Sequence, residues 1–332
     1  MPVFIWAPEE EGVWPPGGAS RWWLHQSLAE LAAEFRAAGA ELIVRRGPSL
    51  AELLRVVKAT GAEAVFWTRR YEPAIVARDR RVQEALRAGG LQAETCTGAL
   101  LHAPESIRNK AGHPFRVFTP FWRTCLASDE PREPLPAPRK LTAPPRRPAS
   151  LPFAALELEP KVKWADGLRS AWEPGSAGAR TELRRFLRDG LLTYSEGRNR
   201  PDVVGTSRLS PHLHFGEISP RQVWHAVKRF AESKAIPAAV WRNWQFLTEL
   251  GWREFAHHLL IHFPQTPEQS LRPQFARFPW RKNGAWLRAW QRGRTGCPLV
   301  DAGMRELWST GWMHNRVRMV AASFLVKNLL LP

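Results

Sequence analysis

The feature that most constrains this chain is a change of rhythm on either side of a proline-rich stretch. Before it, residues 2–6 (Pro-Val-Phe-Ile-Trp), 41–45, 62–67 and 91–95 read as short apolar strands, with amphipathic helices at 20–38, 49–59 and 73–88 between them. Strands alternating with helices at this pitch predict a parallel, doubly wound sheet. No Gly-x-Gly-x-x-Gly follows the first strand, so an ordinary dinucleotide site is not expected there. From Asp129 to about Pro160 the sequence turns to Glu-Pro, Pro-Ala-Pro and Pro-Pro-Arg-Arg-Pro, which forms neither helix nor sheet and reads as an extended linker. Beyond it, 176–189, 219–233, 237–262, 283–292, 299–308 and 312–330 read as helices punctuated by Gly, Pro and Ser. The organisation expected is an α/β domain over 1–128, a linker over 129–160 and an all-helical domain over 161–332.

Composition narrows what such a protein meets. The 332 residues, 44% of them hydrophobic, suffice for a full core in two domains. Forty-eight Lys and Arg against 31 Asp and Glu leave a formal charge of +17, a balance suited to a polyanion, with nucleic acid the leading candidate. Cys96, Cys125 and Cys297 lie far apart and form no metal-type pair, which fits a reducing cytoplasm better than a disulfide framework or a zinc site. No apolar run reaches the length of a membrane span, and Met1–Trp6 lacks a basic region ahead of its apolar residues. Seventeen Trp against two Tyr suits packed cores, base stacking or electron transfer, and composition alone does not choose among them.

Three motifs carry chemistry. The run from Thr295 to Met319 reads as two helices broken at Ser309-Thr310-Gly311. On the second, Trp312, Asn315, Arg316 and Met319 recur at three- and four-residue spacing and present an indole, an amide, a guanidinium and a thioether to a flat polar ligand. Upstream, in Tyr194-Ser-Glu-Gly-Arg198 through Gly205-Thr206-Ser207-Arg208-Leu209-Ser210, the Thr-Ser-Arg step opens a helix. It brings two hydroxyls, free N–H groups and a cation to one place, which is a phosphate cradle or, more plainly, an N-cap beside a surface Arg. In Trp241 to His258, Glu249, Trp252, Arg253 and Ala256 share a helix face. That face is either a carboxylate, indole and guanidinium wall or a core Trp with a Glu249–Arg253 surface ion pair.

Together these segments, with Arg21-Trp22-Trp23-Leu24-His25, Tyr71-Glu72-Pro73 and Phe115 to Trp122, resemble the DNA photolyase and cryptochrome family of flavoproteins over almost the whole chain. The resemblance implies a Rossmann-like α/β domain ahead of a helical FAD-binding domain. Tyr194, Thr206, Ser207, Arg208, Leu209 and Ser210 match the positions that hold FAD, with Glu249 beside it. Glu249, Trp252, Asn315 and Met319 match residues facing an extruded pyrimidine dimer, and Arg198, Arg253 and Arg316 belong with them to the DNA-facing set. Enzymes that act on a base take it out of the stack, and an indole offers it a sequence-tolerant platform.

Trp280 matches the outermost tryptophan of the family's photoreduction chain, and its two inner partners are expected after Pro332. Arg318 matches a cation whose acidic partner beside the flavin is also expected there. Members of the family carry a further strand and helix before the Phe4-Ile5-Trp6 strand and a long helical segment after the position of Pro332, so the resemblance implies a chain shortened at both ends. The first domain of such proteins is where a light-harvesting antenna, a reduced folate or a deazaflavin, is held, though some members carry none, and Glu105 falls near the folate-contacting region. Asn315 followed by Arg316-x-Arg318-Met319 resembles the class I enzymes for cyclobutane dimers. The implied activity is that of a deoxyribodipyrimidine photo-lyase, a monomeric cytoplasmic carbon-carbon lyase acting on dimer-containing DNA. The alternatives are a cryptochrome-like blue-light receptor and a non-catalytic DNA-binding remnant.

Overall fold

The computed structural model describes residues 1–332 except Pro145. In chain order the elements are β1 (Val3–Trp6), α1 (Gly18–Ala37), β2 (Ile43–Arg46), α2 (Ser49–Thr60), β3 (Ala64–Thr68), α3 (Pro73–Ala88), β4 (Gln92–Cys96), α4 (Phe118–Ala127), α5 (Asp166–Ala171), α6 (Ser176–Asp189), α7 (Tyr194–Gly197), α8 (Ser210–Phe215), α9 (Pro220–Ser233), α10 (Ala238–Trp241), α11 (Gln245–His262), α12 (Gly284–Gln291), α13 (Pro298–Thr310) and α14 (Asn315–Ser323). The local signals explain most ends. Pro opens α3, α9 and α13 at the position where a missing N–H costs nothing. Ser219 and Gln222 close a reciprocal capping box on α9.

The strands form two parallel pairs, β1 with β2 (Val3 opposite Ile43) and β3 with β4 (Ala64 opposite Gln92). Among the described residues no ladder joins one pair to the other. Trp6, Leu28, Val44, Leu156 and Leu158 make one core, and Val82, Leu86 and Ala93 another under α3. The proline-rich stretch is not a free tether. The Val44 N–H donates to Ser150 Oγ at 2.9 Å and the Val44 carbonyl accepts from the Leu151 N–H at 2.9 Å, so this segment covers the outer edge of β2. Phe153–Leu156 then winds into a 3-10 turn, and Leu156 and Leu158 enter the core.

Two helices differ from the sequence reading. The span 237–262 is broken at 242–244, where Asn243 Nδ2 donates to the Ala239 carbonyl at 2.8 Å and Trp244 turns extended as the cap of α11. The span 312–330 begins at Asn315 and is π-wound after Ser323. The residues fall into two compact units: Met1–Pro160 with Pro174–Arg180 and Leu209–Pro267, and Lys161–Glu173 with Thr181–Arg208 and Glu268–Pro332. The first unit therefore contains α8 to α11 as well as the strands. Among the described residues no helix is long and apolar enough to cross a membrane.

Candidate functional site

In the first unit the site is built on α11. Gly251 lets α4 approach so closely that a Cβ there would lie 2.6 Å from the Trp122 ring. The next residue, Trp252, is 48% exposed and stacks on Phe118 of α4 with ring centroids 3.7 Å apart. Glu249, one turn earlier, is half-buried and accepts from Gln245 Nε2 at 2.8 Å. Arg253 departs from the reading that set it on the DNA-facing wall. Its guanidinium is turned inward and donates to the carbonyls of Ala99 at 2.5 Å and Leu213 at 3.4 Å, so it makes no surface pair with Glu249. The buried side of α11 carries a polar ladder. Glu254 accepts from the Leu101 and His102 N–H groups, His258 Nε2 accepts from the Phe115 N–H at 3.0 Å, and His262 Nε2 faces the Pro104 carbonyl at 3.2 Å. These bonds fasten the segment after β4 to the helix that presents Trp252.

A cavity of about 600 Å³ opens at the carboxyl ends of β3 and β4, lined among others by Arg69, Tyr71, Gly98, His214, Arg253 and His257. Its cations are already engaged: Arg69 pairs with Glu105, and Arg70 makes two bonds to Glu11 at 2.7 and 2.9 Å. Burial holds His214 and His257 below the usual imidazole range, so both are neutral near pH 7. The Tyr71 hydroxyl is buried without a hydrogen-bond partner.

In the second unit, Tyr194 is buried at the start of α7, edge-on to Phe186 at 5.5 Å, with the Arg198 guanidinium 5.8 Å from its ring. The loop from Gly197 to Gly205 is pinched at its neck, because a Cβ on Gly205 would meet the Gly197 carbonyl oxygen at 2.5 Å. Thr206, Ser207 and Arg208 follow, outside the helix that their spacing predicts them to open. They precede α8 instead of opening it, since Leu209 is the cap and Ser210 the first helical residue. Arg208 is left-handed, with φ 54°. Its guanidinium lies 4.2 Å from the Trp172 ring and 5.3 Å from Trp312, donates to the Ala171 carbonyl at 3.2 Å, and keeps a buried Nε without a partner. Burial lowers its pKa. The Thr206 carbonyl accepts from Arg185 at 3.0 Å.

Trp312 is likewise not on the face assigned to it. Gly311, with φ 69°, ends α13, and His314 caps α14 through Nδ1, which accepts from the Arg316 N–H at 3.2 Å. Trp312 lies between the helices and packs on Trp172 at 5.8 Å. Asn315, Arg316 and Met319 do share the exposed first turns of α14. Arg316 Nε donates to Asn199 Oδ1 at 2.8 Å, and its Nη1 reaches Met319 Sδ at 3.7 Å. Arg318 is exposed. Trp280 is 38% exposed in a loop and packs on Phe278 at 4.4 Å.

Spacing thus found α11 and α14 but missed Phe118, Trp172, Asn199 and Glu254, each of which acts on a residue distant in sequence. Phe118, Asn199 and Glu254 lie inside segments that carry the family resemblance, whereas Trp172 lies outside them. Leu209 and Ser210 belong to the first unit with Glu249 and Trp252, whereas Tyr194 to Arg208 and Asn315 to Met319 belong to the second.

Residues 1–139 match the family described as DNA photolyase, and residues 246–332 the FAD binding domain of DNA photolyase. A deoxyribodipyrimidine photo-lyase of Agrobacterium fabrum is 44% identical over all of this chain and 68% of its own length. Cryptochrome-1 of Arabidopsis thaliana is 39% identical over 99% of this chain and 49% of its own. The solved structure titled a class III photolyase from Agrobacterium tumefaciens superposes with a TM-score of 0.93 at 44% identity, covering 100% of this chain and 68% of that one. The class I likeness read from Asn315 thereby stands beside a class III likeness. An archaeal photolyase from Sulfolobus tokodaii, titled as having two FAD molecules, gives a TM-score of 0.79 at 27% identity, covering 98% of this chain and 68% of that one. With an α/β portion, a helical FAD-binding portion and this likeness along its whole length, the chain belongs to the DNA photolyase and cryptochrome family.

Proposed function

We propose that this protein is a deoxyribodipyrimidine photo-lyase acting on DNA that carries cyclobutane pyrimidine dimers. The observation that carries the reading is the half-exposed Trp252 indole on α11 with the Glu249 carboxyl one turn away. FAD, when bound in its reduced form and excited by light, supplies the electron that opens the cyclobutane ring, and the protein supplies position and polarity. The residues present suit it. Thr206 and Ser207 supply hydroxyls next in sequence to the half-buried Arg208, whose buried Nε has no partner, residue types whose donors suit a diphosphate. Tyr194, Leu209 and Ser210 complete the cofactor contacts.

Trp252 stacks on the extruded dimer, and Glu249 hydrogen-bonds a pyrimidine carbonyl. Asn315 and Met319 face the lesion, and Arg198 and Arg316 hold backbone phosphates. Phosphate contacts of this kind anchor a duplex without reading its sequence. Trp280 is assigned to electron transfer toward the flavin. Arg253, bonded to two carbonyls, steadies α11 and is left out of the DNA contacts.

The cavity at the carboxyl ends of β3 and β4 has the size and the place of a small-molecule site in an α/β sheet, and we assign it to a second chromophore, a reduced folate or a deazaflavin. By the same reading the two parallel pairs are halves of one doubly wound sheet, and the domains run 1–128 and 161–332 with 129–160 between. The protein works as a cytoplasmic monomer.

The test is the absorption spectrum of the purified protein before and after blue light with a reductant, followed by repair of a dimer-containing oligonucleotide. A flavin spectrum that bleaches, with loss of dimers under light, is the expected result. A folded, colourless protein would overturn the flavin reading. The 39% identity to cryptochrome-1 of Arabidopsis thaliana favours blue-light reception as the second reading, and a photoreducible flavin without repair would select it.

A further inference from the structure

Trp252 does not stand alone on α11. Phe118, the first residue of α4, lies flat against it at 3.7 Å with only 8° between the ring planes. Phe118 also meets Phe255 edge-on at 5.9 Å and 70°, and Phe255 meets Trp252 edge-on at 6.0 Å and 73°. The three rings form a closed triangle in which each is held by the other two. The approach of α4 that makes the stack possible rests on Gly251, where a Cβ would collide with the Trp122 ring at 2.6 Å. Trp252 is nevertheless 48% exposed. With one face on Phe118, that exposure belongs to its opposite face and edge.

We infer that Phe118 is a positioning residue for nucleobase recognition: it holds the Trp252 indole with one face covered and the other ready for an extruded pyrimidine. This deepens the reading of Trp252 given above and rests on it. A free indole on a helix surface must surrender rotamer freedom when a base stacks on it, and that loss subtracts from affinity. A ring stacked behind it has removed the freedom beforehand, as rigid aromatic anchors do in preorganised binding surfaces. The contribution falls on the extruded base alone. Phosphate contacts, which an undamaged duplex makes equally well, do not involve either ring.

The experiment compares the affinity of the protein for an oligonucleotide duplex with one cyclobutane dimer and for the same duplex undamaged, at one salt concentration, by fluorescence anisotropy. Phe118→Ala is expected to lower the damaged-to-undamaged affinity ratio about 3- to 10-fold. Undamaged-DNA affinity should stay unchanged, and Phe118→Tyr should keep the full ratio. Gly251→Ala keeps all three rings but forces α4 back, and should lower the ratio as well. Phe118→Leu, which preserves apolar bulk without a flat face, gives the same answer if the alanine variant does not fold. Trp252→Ala separates the two levels of the argument. If it loses the ratio while Phe118→Ala and Phe118→Leu keep it, the positioning role is overturned and the platform stands. If Trp252→Ala keeps the ratio, the platform reading fails and the positioning role with it.

Discussion

At the scale of single residues, the buried titratable groups of α11 set a pH response. Glu254 is 4% exposed and accepts two backbone N–H groups, at 3.0 and 3.3 Å, while its Oε1 has no hydrogen-bond partner. Burial dominates over those bonds and over Arg253, and pushes its pKa up from 4.5 to about 7. The folded state therefore holds this proton more tightly than the unfolded chain does. Its stabilising contribution is complete below about pH 4.5 and lost as pH rises through about 7. His258 acts in the opposite sense. Burial, with His262 beside it, lowers its pKa from 6.5 to about 4, so its contribution is present above pH 6.5 and lost as pH falls toward 4. Glu254→Gln isolates the first effect: its Tm should exceed that of the wild type at pH 8 and not at pH 5. A Tm difference independent of pH in calorimetry would refute the assignment.

At the scale of elements, the junction between α13 and α14 decides which residues face outward together. Gly311 takes a left-handed conformation and its N–H donates to the Leu307 carbonyl at 2.9 Å, stopping α13 at Thr310, two residues before Trp312. A Cβ there would meet the Leu168 side chain at 3.5 Å and Trp172 Nε1 at 3.9 Å, both ordinary contact distances, so Gly311→Ala tests the backbone alone. It should cost about 1 kcal/mol in urea denaturation through the left-handed strain. Unchanged stability would mean that the turn relaxes without that conformation. His314 starts α14 as an acceptor, and burial keeps its imidazole below the usual range and therefore neutral. Helical spacing placed Asn315, Arg316 and Met319 on one surface. It misplaced Trp312 because periodicity continues across the four-residue connector from Gly311 to His314 as though the helix did.

At the scale of the whole molecule, the charge of +17 makes DNA affinity a matter of counterion release. Arg316→Ala should weaken damaged and undamaged duplex alike and reduce the slope of log affinity against log salt by about 1. Asn199→Ala, which removes the 2.8 Å bond that orients Arg316, should weaken both duplexes less and leave the slope unchanged. An Arg316→Ala variant with the parental slope would remove this residue from the phosphate contacts.

The division of labour between sequence and tertiary structure follows from the range of the forces involved. Helix and strand type and the helices bearing Trp252 and Arg316 were legible, because periodic burial and backbone hydrogen bonding are local. The same holds for Gly and Pro at helix ends. What only the tertiary structure decided are the pairings between distant segments: Phe118 against Trp252, Arg208 against Trp172 and Trp312, Arg253 turned inward, and the proline-rich stretch sealing the edge of β2. A side chain's residue type states what it can bond or stack with. Which partner it meets depends on how the chain closes on itself, and no local pattern encodes that.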